Sequence, residues 1–190
     1  MDLSFAALRP EYLARWQTLQ PRVGVAAVAA DLATGLAAGR ARYDAIGGGV
    51  PWWWIAAIHQ MESSADFGRH LHNGDPLGAR TVHVPCGRPP DGQPPFTWES
   101  SARDALVLAG VWGLDDWSAA PALWRAERFN GMGYRLRGVA SPYLWAGSTH
   151  YSAGQFIADG RFSAGAVCRR PGVALLWAAM AAAGLADIAA

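Results

Sequence analysis

The chain has no lysine. All 16 basic residues are arginine, they face 15 carboxylates, and the net charge is +1. Neither that balance nor any basic block provides the field by which a protein holds a polyanion, so nucleic acid is not an expected partner. Glutamate is scarce as well: only Glu11, Glu62, Glu99 and Glu127 occur. The two cysteines, Cys86 and Cys168, lack metal-type spacing and read as free thiols or as one long-loop disulfide. No apolar run is long enough to span a bilayer, so no integral membrane segment is expected. The opening Met1-Asp2-Leu3-Ser4-Phe5 lacks the basic and then apolar segments of a secretory signal. Synthesis and folding in the cytoplasm are expected, where a disulfide would be unusual.

What the chain does contain is apolar surface. With 190 residues and 52% hydrophobic content it can bury one good core, and a single domain over 1–190 is the expectation. Ten tryptophans exceed what such a core needs, and surplus aromatics often stack on sugar rings or bases.

Helical signals run along most of the chain. Arg9 to Gln20 carries Tyr12, Leu13, Trp16 and Leu19 at helical spacing, with Pro10 suited to a first turn. The alanine-rich run from Val23 to Ala45 predicts one or two helices, stopped by Gly47-Gly48-Gly49. Val50 to Ala65 predicts a helix buried almost all round, entered through Pro51 and ending near Glu62. From Asp66 to Pro95 the composition turns to Gly, Pro, Asp, Asn and His, which predicts one wall of a cleft; Arg80 to Val84 suggests a small hairpin there. Thr97 is a candidate N-cap for the next helix, with Glu99 in its first turn. Further helices are predicted over Ala119 to Phe129, briefly at Ser141 to Trp145, within Tyr151 to Phe162, and over Gly172 to Leu185.

Glu62 stands out chemically. A carboxyl at the mouth of an apolar helix is desolvated, which raises its pKa and suits a general acid at neutral pH. Its ordinary alternative is a helix-terminal glutamate paired with an arginine. Asp75, in the polar Asn73-Gly74-Asp75-Pro76 turn, has the setting of a carboxylate that stays ionised, and two environments that separate pKa values in this way suit acid and base roles. The turn alone would also explain it, and Asp66 and Asp91 are rival second carboxylates. Asn130, followed by Gly131, is placed to meet a bound ligand or to cap a helix. Tyr134, Tyr143 and Trp145 are candidates for sugar stacking, whereas the Trp52-Trp53-Trp54 run can turn at most one ring toward a groove. His70 and His72, near His59 and His83, admit a zinc reading, but no third ligand has recognised spacing, and no metal or other cofactor is expected.

His59-Gln60-Met61-Glu62-Ser63 resembles the helix end of goose-type lysozymes and lytic transglycosylases, in which the glutamate is the catalytic acid. Glu127 to Tyr134 is similar to the Tyr-Asn-Gly motif lining the groove of the same superfamily, with Phe129 where a tyrosine is usual. Asp75 followed six residues on by Thr81 resembles the pair that positions the attacking water in phage-type lysozymes, although the gap from Glu62 is longer here. The likeness covers Pro51 to Asp159 in order. It implies a mainly α, lysozyme-like α+β fold with a small β element beside the catalytic helix. It also implies a monomeric, endolysin-like peptidoglycan hydrolase cutting between N-acetylmuramic acid and N-acetylglucosamine in the cell wall. On that reading Glu62, Asp75 and Thr81 are catalytic, and His59, His72, Asn130, Gly131, Tyr134 and Tyr143 bind substrate. A lytic transglycosylase needing only Glu62, a chitinase and a non-catalytic glycan-binding module are the alternatives.

Overall fold

The computed structural model describes residues 1–158 and 160–189; Asp159, where the resemblance ends, lies outside them. The chain is mainly helical and forms two compact units, Met1–Thr34 with Asp116–Ala190, and Gly35–Asp115.

In chain order, α1 spans Phe5–Gln17 and α2 spans Val25–Ala38. The first helix starts earlier than its apolar spacing predicts because the Ser4 hydroxyl accepts from the Ala7 N–H as an N-cap. Pro10 therefore falls inside the helix rather than in its first turn. Gly39 separates α2 from α3, Arg40–Asp44, so the alanine-rich run makes two helices.

The second unit is built on α4, Trp52–Ser63, in which every residue from Trp52 to His59 is buried. Pro51 is its N-cap, and α3 packs on it. All three consecutive tryptophans are core residues. The α5 helix, Trp98–Leu108, is capped as expected by Thr97, whose hydroxyl accepts from the Ser100 N–H. Between α4 and α5 the chain consists of turns, and its one bridge joins Arg69 to Pro76.

In the first unit, α6 (Ala119–Asn130) packs on α1, and a 3-10 helix follows at Met132–Arg137. The short α7, Pro142–Trp145, packs on α8, Val173–Ala182. The sheet is one antiparallel pair, β1 (Gln155–Ala158) and β2 (Arg161–Ser163). It stands where a short helix is predicted, whereas Arg80 to Val84 forms no strand. The small β element thus belongs to the first unit and is not the expected hairpin after α4. No helix is long and apolar enough to cross a membrane among the described residues.

Candidate active site

Glu62 sits half-buried in the last turn of α4. The chain leaves the helix through two residues in the left-handed region, Ser64 at φ 57° and Ala65 at φ 59°. Neither is glycine, so each costs about 1–2 kcal/mol, and such conformations persist where surrounding bonds impose them. Here the Ser64 N–H donates to the Gln60 carbonyl and the Ala65 N–H to that of His59, both at 3.1 Å.

The following loop folds back on the helix end. The Asp66 carboxylate accepts from the Gly68 N–H and pairs with Arg69, whose guanidinium also donates to the Gly74 carbonyl. His70 N–H donates to the Asp75 carbonyl at 2.7 Å, and Gly74 N–H to that of His70 at 2.9 Å. Gly74, at φ +77°, lies so close to α4 that a Cβ there would be 2.5 Å from the Glu62 carbonyl oxygen. Only glycine allows both the dihedral and the approach. The loop therefore brings Asp75 to the end of the helix that carries Glu62.

Asp75 is buried, and its carboxylate is heavily engaged. Oδ2 accepts from the Val82 N–H (2.8 Å), the His83 N–H (3.0 Å) and Asn73 Nδ2 (3.2 Å), while Oδ1 lies 2.6 Å from His83 Nδ1. Desolvation pushes the carboxyl pKa upward, but the His83 ring and the two backbone donors outweigh it, and the net direction is downward. Asp66 is also held low, by the Gly68 N–H first, and is exposed; its bonds make it a staple of the loop.

Three other expected site residues of this unit prove to be framework. The Thr81 hydroxyl is buried, gives its proton to the Pro85 carbonyl at 2.6 Å and accepts from the Arg88 N–H, so it braces residues 81–88 and has no proton left for a water. His59 is wholly enclosed, with Nδ1 against the Tyr43 hydroxyl (3.0 Å) and Nε2 against the Asp66 carbonyl (3.1 Å). Burial lowers its pKa to about 4, so the ring is neutral and locks the loop to α4. His72 is buried too, its Nε2 2.8 Å from Asp104, which also holds Arg88. His70 completes this network through Ser101 and the Ala79 carbonyl. All three rings are buried, and their partners on Tyr43 and on α5 could not be read from local sequence.

In the first unit, Asn130, Gly131 and Tyr134 do come together. With Gly133 and the β1 residues Phe156 and Ile157 they line a cavity of about 490 Å³. Tyr134 is nearly buried, its hydroxyl accepts from the Phe156 N–H, and its ring meets Phe156 edge-on. Burial raises its pKa above the ordinary phenol value. Tyr143 and Trp145 are buried residues of α7 rather than open stacking platforms.

Glu127, within the motif that resembles a groove lining, is instead part of an ion network. Its Oε2 accepts from the Tyr12 hydroxyl at 2.5 Å and from Arg135 at 2.8 Å, and Arg135 also holds Glu11. Among the described residues no group of three or more His, Cys, Asp or Glu side chains gathers in a metal-binding arrangement, and Cys86 and Cys168 are free thiols. No family model, curated protein or solved structure matches this chain.

Proposed function

We propose that this chain is a peptidoglycan hydrolase of the lysozyme type, cleaving between N-acetylmuramic acid and N-acetylglucosamine with Glu62 as the general acid. The observation that carries this reading is the return of Gly74 to the Glu62 carbonyl, which sets an ionised, buried Asp75 beside the end of an apolar helix bearing a half-buried glutamate. Glycosidic cleavage asks for two groups of this kind, one giving a proton to the leaving oxygen and one serving the attacking water. In the first unit, the cavity at Asn130, Gly131 and Tyr134 is assigned to a sugar residue, with Asn130 meeting an N-acetyl or hydroxyl group. No cofactor is required.

A lytic transglycosylase is the second reading. It is favoured by the engagement of both Asp75 oxygens, since that reaction uses the muramic 6-hydroxyl in place of an activated water. Mass spectrometry of purified sacculi digested by the native protein separates the two. Reducing muramic acid ends are expected; 1,6-anhydro ends throughout would move the assignment to transglycosylation. Wall binding without released fragments would overturn both in favour of a glycan-binding module.

A further inference from the structure

Asp75 does not end at itself. It holds His83 at two points, through the backbone N–H on Oδ2 at 3.0 Å and through ring Nδ1 on Oδ1 at 2.6 Å. Asn73 tightens the arrangement by donating both to Asp75 and to the His83 carbonyl. The exposures are opposite, with the Asp75 side chain 9% accessible and that of His83 69% accessible. A buried carboxylate thus grips an imidazole that stands out from the loop.

We infer that His83 is the general base of the reaction, taking the proton of the attacking water, and that Asp75 is the positioning residue behind it. An ionised carboxylate can only accept, so the Nδ1 that faces Asp75 carries a proton, and Nε2 is the ring atom that would take the proton of the water. Four donors on one carboxylate hold it in the charged form and make it a poor proton acceptor. Imidazole is intrinsically the stronger base of the two side chains, and this one projects from the loop on the side away from Asp75. The loop geometry supports the placement, because Gly74, next to Asp75, lies on the Glu62 carbonyl.

This inference rests on the hydrolase reading above. The water oxygen bonds to C1 of the muramic residue as the bond from C1 to the bridging oxygen breaks. The water gives one proton to His83 Nε2, and the leaving oxygen takes the proton of Glu62. Return of the His83 proton through solvent to Glu62 resets both groups, with one water consumed. The displacement is single and inverts C1.

The alternative is that His83 merely staples the loop. His83→Asn separates the two, because an asparagine amide can still donate to Asp75 while offering no base at the Nε2 position. Loss of a general base costs about 10²–10⁴-fold, so His83→Asn and His83→Ala should lose that much kcat on solubilised glycan with KM nearly unchanged. Added imidazole should restore part of the His83→Ala activity, and nitrogen NMR of the native protein should show the Nδ1–H tautomer, shifting toward Nε2–H in Asp75→Asn. Near-native kcat in His83→Asn, failure of imidazole to rescue His83→Ala, or an Nε2–H tautomer in the native protein would overturn the assignment. A parallel Glu62→Gln variant keeps the two proposals apart: if it stays active the hydrolase reading falls, whereas an inactive Glu62→Gln beside an active His83→Asn removes only the role of His83.

Discussion

Among the described residues two carboxylates are buried, Glu127 in the first unit and Asp75 in the second, and they are held by different kinds of donor. Glu127 receives a tyrosine hydroxyl and an arginine that is itself tied to Glu11. Its charge is answered by a guanidinium that does not titrate near neutrality, and Glu11 carries the network on to Arg15. Asp75 receives backbone amides, an asparagine and a histidine that is largely exposed. Its oxygens are thus tied to a ring that reaches the surface. The first arrangement ties α1 to α6 and to the 3-10 helix, whereas the second braces one loop and leaves a histidine ring at the surface.

The sharpest way to break that contrast is Arg135→Met. It leaves Glu127 buried without its counter-charge, and breaking a buried pair in this way should cost about 3–5 kcal/mol in urea unfolding. A loss below about 1 kcal/mol would mean that the network is ornamental. Acidification probes the other unit. Because the folded His59 has a pKa of about 4 against 6.5 in the unfolded chain, the unfolded state binds the extra proton between those values. Stability is therefore full above pH 6.5 and falls as pH drops toward 4, by roughly 3 kcal/mol from this residue alone. A flat melting temperature across that window would contradict the enclosed neutral ring. Tyr12→Phe removes one buried bond to Glu127 while Arg135 remains, so a loss of about 1–2 kcal/mol is expected in the same urea experiment. At the small end, Arg40→Ala breaks an exposed pair with Asp44 and should change stability by less than about 0.5 kcal/mol.

The same division marks what could be read from the chain. Elements specified by their own residues are legible: α4 from its uninterrupted apolar run, α5 from the Thr97 cap, and α8 from its alanine and leucine content. Elements specified by distant partners are not. Arg80 to Val84 has β-forming residues, yet Thr81 turns inward to brace Arg88 while the Val82 and His83 amides bind Asp75, leaving no ladder to form. Tyr151 to Phe162 reads in isolation as holding a short helix, but Gln155–Ala158 and Arg161–Ser163 pair antiparallel, with the Phe156 and Phe162 rings packed on each other and on Tyr134. In the candidate site, Glu62 and Asp75 are singled out by the sequence because glutamates are few and their surroundings contrast, and the fold brings their backbone segments together. His59 and His72 could not be recognised as framework, since their partners lie 16 residues away on Tyr43 and 32 away on Asp104. His83 was visible only as one of several histidines until its bond to Asp75 singled it out.

The central claim is that the Glu62 side chain donates the proton that releases the sugar oxygen. Release of soluble muropeptides from purified sacculi by Glu62→Gln, measured beside the native protein at equal folded concentration, tests it most directly. Loss of release to the level of a no-enzyme control is predicted, with the variant still folded by circular dichroism. A folded Glu62→Gln protein that releases fragments at a native rate would contradict it.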